Sequence, residues 1–185
     1  MRTHILGIAV SALLLGACAP RSGRALRGGA GKAAIPPFSA EQIRRGLPTG
    51  AVLVFQLLEP GAAPVTSRWE VLRAEGDGVT IQYTQGDAQR VPVGEPVVKT
   101  TPWTELESHG RFPPAATEWS DGPVEAGAGR FEEARTFVVH KVEDGQPVEL
   151  HYTFALDLPG PPVRVRTLRQ GVELQRTELL ERTTP

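Results

Sequence analysis

Apolar and polar residues alternate in short runs, with the two-residue period of half-buried strands rather than the longer period of helices. Ala51 to Leu58, Val65 to Ala74, Val79 to Thr84 and Gln89 to Thr100 are the first four such runs. Glu75-Gly76-Asp77-Gly78 joins the second to the third as a hairpin, and either two-residue register sets Leu72, Ala74, Val79, Ile81 and Tyr83 on one face. Pro92 and Pro96 interrupt the fourth run, which predicts an edge position or a break, because a central strand needs those amides. Further on, Asp144-Gly145 is a type I′ turn signal. Pairing across it places Phe137, Val139, Val148, Leu150, Tyr152 and Phe154 on one face and His140, Glu149 and His151 on the other. A last hairpin at Gln170-Gly171 brings Arg164 and Arg166 to the side of Glu173 and Gln175.

Two short helices interrupt the strands. Ser39 and Gln42 form a capping-box pair, Phe38 and Ile43 a hydrophobic staple, and Gly46 and Pro48 stop the first helix after barely two turns. Thr101 as cap, Pro102 at the first helical position and Gly110 as stop mark the second, with Trp103 and Leu106 sharing a face. The strands follow one another through short turns without helical crossovers. The expected fold is therefore mainly β: a single antiparallel curved sheet or open β-barrel with two short helices.

Composition divides the chain of 185 residues into parts. All eleven aromatic residues lie at or after Phe38. From Ala19 to Pro37 the sequence is small, Gly- and Pro-rich and basic, with Arg21, Arg24, Arg27 and Lys32 and no acidic residue before Glu41. The formal charge of −1 conceals Arg2, a tether of +4 and a remainder, from Ile35 on, of −6. Two uses of that basic tether are open: contact with anionic lipid, each cation contributing up to about 1 kcal/mol near such a surface, or a solvated spacer. With no basic surplus on the folded part, a nucleic-acid partner is not expected.

At the start, Arg2 and His4 precede an apolar run from Ile5 to Leu15 and the small residues Gly16 and Ala17, the layout of a secretory signal. The run is too short for a bilayer-spanning helix, which needs about 20 residues. Leu15-Gly16-Ala17-Cys18 resembles the lipobox of bacterial lipoproteins. That resemblance implies cleavage before Cys18 and acylation of its thiol. More than one chain gives stable anchoring, at about 0.8 kcal/mol per buried methylene. Cys18 is the only cysteine, so no intrachain disulfide competes for it. Ala19 stands where an inner-membrane retention aspartate would, which favours the outer membrane of the bacterial envelope. The expected organisation is a cleaved signal peptide over 1–17, a lipidated cysteine with a flexible basic linker over 18–37, and an antiparallel β domain over 38–185.

Catalytic constellations are sparse. The lone cysteine is committed to the anchor, no Gly-x-Ser-x-Gly elbow occurs, and Glu132 and Glu133 point to opposite faces of a strand. The sharpest chemical candidate is His140, Glu149 and His151, a donor set of the kind zinc and non-haem iron use. A solvated polar face accounts for the same three residues, so no metal and no cofactor are expected.

Ala126-Gly127-Ala128-Gly129-Arg130-Phe131, the long strand after it, and Asp157-Leu158-Pro159-Gly160-Pro161-Pro162-Val163 resemble the C-terminal part of exported bacterial lipoproteins similar to the open-barrel lipoprotein-carrier type. The resemblance implies a curved sheet with a helical lid over an apolar groove. It carries no catalytic residue over. Two functional expectations follow. One is a membrane-anchored, non-enzymatic protein holding an apolar ligand, an acyl chain or a lipoprotein, against Phe137, Leu150, Tyr152 and Phe154. The other is an envelope structural or assembly module docking a protein partner through a sheet edge.

Overall fold

A computed structural model of the chain describes residues 36–185. The signal segment, Cys18 and the tether up to Ile35 lie outside the described residues. Nine strands form one antiparallel sheet: β1 (Val52–Leu58), β2 (Val65–Glu75), β3 (Gly78–Gly86), β4 (Val97–Pro102), β5 (Thr117–Ala126), β6 (Gly129–Glu143), β7 (Gln146–Ala155), β8 (Arg164–Arg169) and β9 (Val172–Thr183). Their order is β4-β3-β2-β1-β9-β8-β7-β6-β5. Two meanders, β1 to β4 and β5 to β9, are thus welded where β1 pairs with β9, leaving β4 and β5 as open edges. The sheet does not close into a barrel.

Its curvature follows from chain length. Eight strand spacings separate β4 from β5, about 38 Å in a flat sheet. The link from Pro102 to Thr117 contains helix α2 (Trp103–Ser108) and a 3-10 turn at Pro114–Ala116. Even pulled straight it would barely reach about 40 Å. Instead it turns in at Phe112, whose ring packs on Phe137 and Tyr152 at 4.9 Å, so the edges must curl toward one another. Helix α1 (Ala40–Gly46) packs against α2 inside the curl, and one core joins Phe38, Ile43, Leu47 and Trp103 to Leu53, Phe55, Val71, Val79 and Ile81 on one meander and Phe137, Phe154 and Leu179 on the other. Among the described residues no helix is long and apolar enough to cross a membrane.

Local signals explain the helix ends. The Ser39 hydroxyl accepts from the Gln42 amide and the Gln42 side chain accepts from the Ser39 amide, completing the capping box. At the other end Gly46 is needed for close approach: a Cβ there would stand 1.9 Å from the Pro159 carbonyl oxygen. The Arg182 guanidinium donates to the Gly46 carbonyl, tying the end of α1 to β9.

Four expectations need correction. Leu72 is not on the face of Ala74, Val79, Ile81 and Tyr83: a bulge between Val71 and Arg73 flips the alternation, burying Val71 and leaving Leu72 43% exposed. The run from Gln89 is not strand until Val97, because Asp87 Oδ1 accepts from the Gln89 and Val91 amides, both at 2.9 Å, and holds a loop in which Pro92 keeps a single bridge to Gly86. Helix α2 starts at Trp103 with Pro102 as its cap, since the ladder with β3 runs on through Thr101. A bulge between Thr167 and Leu168 on the β8–β9 ladder pairs Gln175 with Thr167, which moves it off the face of Arg164 and Arg166. The Arg166 guanidinium still donates to Glu173, at 2.5 Å.

Candidate functional site

The β6–β7 hairpin has the register its turn dictates. Asp144 and Gly145 both have positive φ, 50° and 74°, and behind them Phe137 faces Tyr152, Val139 faces Leu150 and His140 faces Glu149. Phe137, Leu150, Tyr152 and Phe154 therefore share one face. Phe137 is fully buried and Phe154 is 6% exposed, while Leu150 and Tyr152 are half-buried. The face is already occupied by the chain's own rings. Phe38 meets Phe154 edge-on at 6.1 Å, Phe154 meets Phe137 at 6.0 Å, and Phe112 lies stacked on Tyr152 at 4.9 Å and 27°. Burial pushes the Tyr152 hydroxyl above its ordinary value, as it does Tyr83. On the other meander a second ladder runs Phe55, Trp69, Tyr83, with ring centres 4.7 and 5.2 Å apart.

Two shallow recesses lie elsewhere. One, of about 340 Å³, sits between Ala63, Pro64 and Val65 and the loop from Gln85 to Gln89. The other, of about 390 Å³, sits between Ala40, Glu41 and Arg44 of α1 and Gly76, Asp77 and Trp103. None of the four candidate lining residues borders either.

The histidines separate into two pairs. His151 Nε2 is 3.0 Å from Glu149, whereas His140 Nε2 lies 3.8 Å from Glu118 of β5. Glu118 reaches His140 from the far side of β6, so His140, Glu149 and His151 do not converge. Among the described residues no group of three His, Cys, Asp or Glu side chains could hold a metal ion.

What remains open is the two edges, and hydrogen-bond alternation fixes which main-chain groups they offer. Glu143 and Gln146 flank a two-residue turn and exchange main-chain bonds, so odd-numbered residues of β6 serve β7 and even-numbered ones serve β5. The Leu156 amide donating to Glu133 at 2.8 Å keeps the same phase farther along. Val138 and Thr136 thus bond to Glu118 and Ser120, while Thr117, Trp119 and Asp121 turn their N–H and C=O groups outward. On β4 the Trp103 amide donates to Asp77 at 3.0 Å, which makes Gly78 and Pro102 a non-bonded pair and leaves Val98 and Thr100 facing outward.

The β5 edge carries an ordered cluster that the alternation pattern could not reveal. Asp121 accepts two hydrogen bonds from Arg135, at 2.7 and 2.8 Å, and the Arg135 guanidinium lies 4.5 Å from the Trp119 ring centre. The Arg135 hydrogen bonds hold the Asp121 carboxyl below its ordinary value and raise that of Arg135 in return. Sequence pattern missed β5 itself: in its run TEWSDGPVEA only Val124 is buried. The available signal was the tight turn ending at Gly129, whose φ is 127°, ahead of a fifteen-residue strand that needs a partner.

These features define an open, curved antiparallel sheet with an internally filled face and two free edges. No protein-family model matches the sequence, and no curated protein matches it. Among solved structures the chain is similar to MucB in its complex with MucA(peri), at 15% identity and a TM-score of 0.50, covering 78% of this chain and 54% of that one. It spans about half the length of MucB, and the likeness is one of fold. Two weaker likenesses, each at 9% identity over 75% of this chain and 98% of the other, are to a protein designated exported, with a YmcC-like fold, from Bacteroides fragilis and to one designated a lipoprotein from Parabacteroides distasonis, with TM-scores of 0.45 and 0.46.

Proposed function

We propose that this chain is a lipid-anchored, non-catalytic protein of the bacterial envelope, held to the outer membrane through Cys18, and that it binds a protein partner along an edge of its sheet. The carrying observation is the contrast between a face filled by Phe38 and Phe112 and edges whose outward main-chain groups have no partner among the described residues. A free strand edge accepts an extended chain without rearrangement. The MucB structure of similar fold was solved with MucA(peri) bound, which is in keeping with a protein partner. The composition of residues 19–37, basic and rich in glycine and proline, supports a site held just off a membrane.

A second reading, an apolar ligand on the Phe137–Tyr152 face, is favoured by one observation: Phe112, which covers that face, belongs to a loop and is itself only half-buried. Photoreactive residues at Val98, Trp119 and Tyr152 of the full chain, activated in the intact envelope, separate the two. Protein adducts at an edge position support edge docking. Adducts to lipid at Tyr152, with none at either edge, overturn it.

A further inference from the structure

Resting on that edge-docking reading, we infer that β5 rather than β4 is the receiving edge, and that its occupant is an extended, cationic protein segment. The two edges are built differently. β4 is six residues long, ends in Pro102, follows Pro96 and carries Lys99 at its centre, all features that discourage strand addition. Only one antiparallel register would let a second copy use both Val98 and Thr100, and it sets Lys99 against Lys99. β5 has neither lysine nor arginine, and no proline before Pro123. Thr117, Trp119 and Asp121 offer three donors and three acceptors in line, a row that only another extended backbone can match.

Charge then selects the occupant. β5 itself carries Glu118, Asp121 and Glu125 and no cation; Arg135 and Arg130 of β6 pair with Asp121 and Glu125, which leaves Glu118, 79% exposed at its side chain, as the carboxylate without a guanidinium partner among the described residues. In the one antiparallel register that lets a second copy use Thr117, Trp119 and Asp121 together, Glu118 faces Ser120 and the two exposed Glu118 carboxylates become diagonal neighbours on one face, so a strand with lysine or arginine is favoured over a second copy. Trp119, 43% exposed, supplies the anchor. Arg135 stacks on its ring and is itself forked onto Asp121, so the indole is held before a partner arrives.

The test is amide hydrogen exchange on the full chain with a peptide of alternating valine and lysine, and one of alternating valine and glutamate as counter-probe. With the lysine peptide at ten times its Kd, exchange at Thr117, Trp119 and Asp121 slows by about tenfold. Val98 and Thr100 do not change, and the glutamate peptide has no effect. Trp119→Pro removes an outward N–H while sparing the Glu118 and Ser120 bonds. It weakens binding by about tenfold or more. Trp119→Ala, which keeps the backbone intact, also weakens binding, whereas Val98→Pro leaves it unchanged. Slowing at Val98 and Thr100 instead overturns the choice of β5 while edge docking stands. Equal slowing by both peptides overturns the charge argument. No slowing at either edge overturns the inference, and protein adducts at position 98 or 119 in the intact envelope then decide separately whether edge docking stands.

Discussion

Gly46→Ala should destabilise the protein although alanine is the better helix former. Gly46 is the last residue of α1, and no left-handed backbone angle demands glycine there. Helix propensity alone would reward the change by up to about 1 kcal/mol. The contact with Pro159 acts the other way. A new Cβ would lie 1.9 Å from the Pro159 oxygen and 2.7 Å from its carbonyl carbon, so the helix end and the 158–160 segment must part by more than 1 Å. That shift strains packing around Ile43 and Leu47, both almost fully buried, and the Arg182 bond to the Gly46 carbonyl. Overpacking of this kind costs about 1–3 kcal/mol. Complete release of α1 would expose Ile43 and Leu47, at about 1.5–3 kcal/mol each. Set against the propensity gain, the net expectation is a loss of about 1–2 kcal/mol. Urea unfolding followed by tryptophan fluorescence should show a lower midpoint with an unchanged slope. A midpoint at or above that of the parent would refute the close approach of α1 to Pro159 and leave propensity as the dominant effect.

Other outcomes follow from single observations. Val71→Ala should cost about 2 kcal/mol, while Leu72→Thr should change stability by less than about 0.5 kcal/mol; comparable losses would contradict the bulge between them. Phe112→Ala should uncover Phe137 and Tyr152 and increase the fluorescence of a bound apolar dye, whereas unchanged dye binding would mean that Phe112 is not the cover. The Asp121 carboxyl titrates below its ordinary value, so its pairing stabilises the fold above about pH 4 and that contribution is lost as pH falls through the lowered folded value. Asp121→Asn should therefore flatten the acid limb of stability against pH in that window. An unchanged acid limb would show that the Arg135 pair does not couple to folding.

Turns with fixed chemistry made much of the fold legible. Asp144-Gly145 specified a register that set Phe137 against Tyr152 and His140 against Glu149, because two residues with positive φ admit one hairpin geometry. Ser39 and Gln42 marked the start of α1 for an equally local reason. Bulges were not legible. Nothing in Val71-Leu72-Arg73 distinguishes which of two apolar neighbours turns inward, and the sheet decides by burying Val71. The contents of the apolar face also depend on distant chain segments: Phe38 and Phe112 arrive from either end of the helical elements to cover Phe154 and Tyr152. β5 was least visible of all, since an edge strand with one buried residue has little hydrophobic period to detect. The part of the site that now carries the functional proposal is the part in which local pattern is weakest.

Native mass spectrometry of the full chain, taken from the envelope in mild detergent, tests the central claim most directly. The expected result is acyl chains covalently attached at Cys18 together with a bound protein partner, and no noncovalent lipid. A chain that carries an acyl-chain ligand noncovalently and no protein would contradict it.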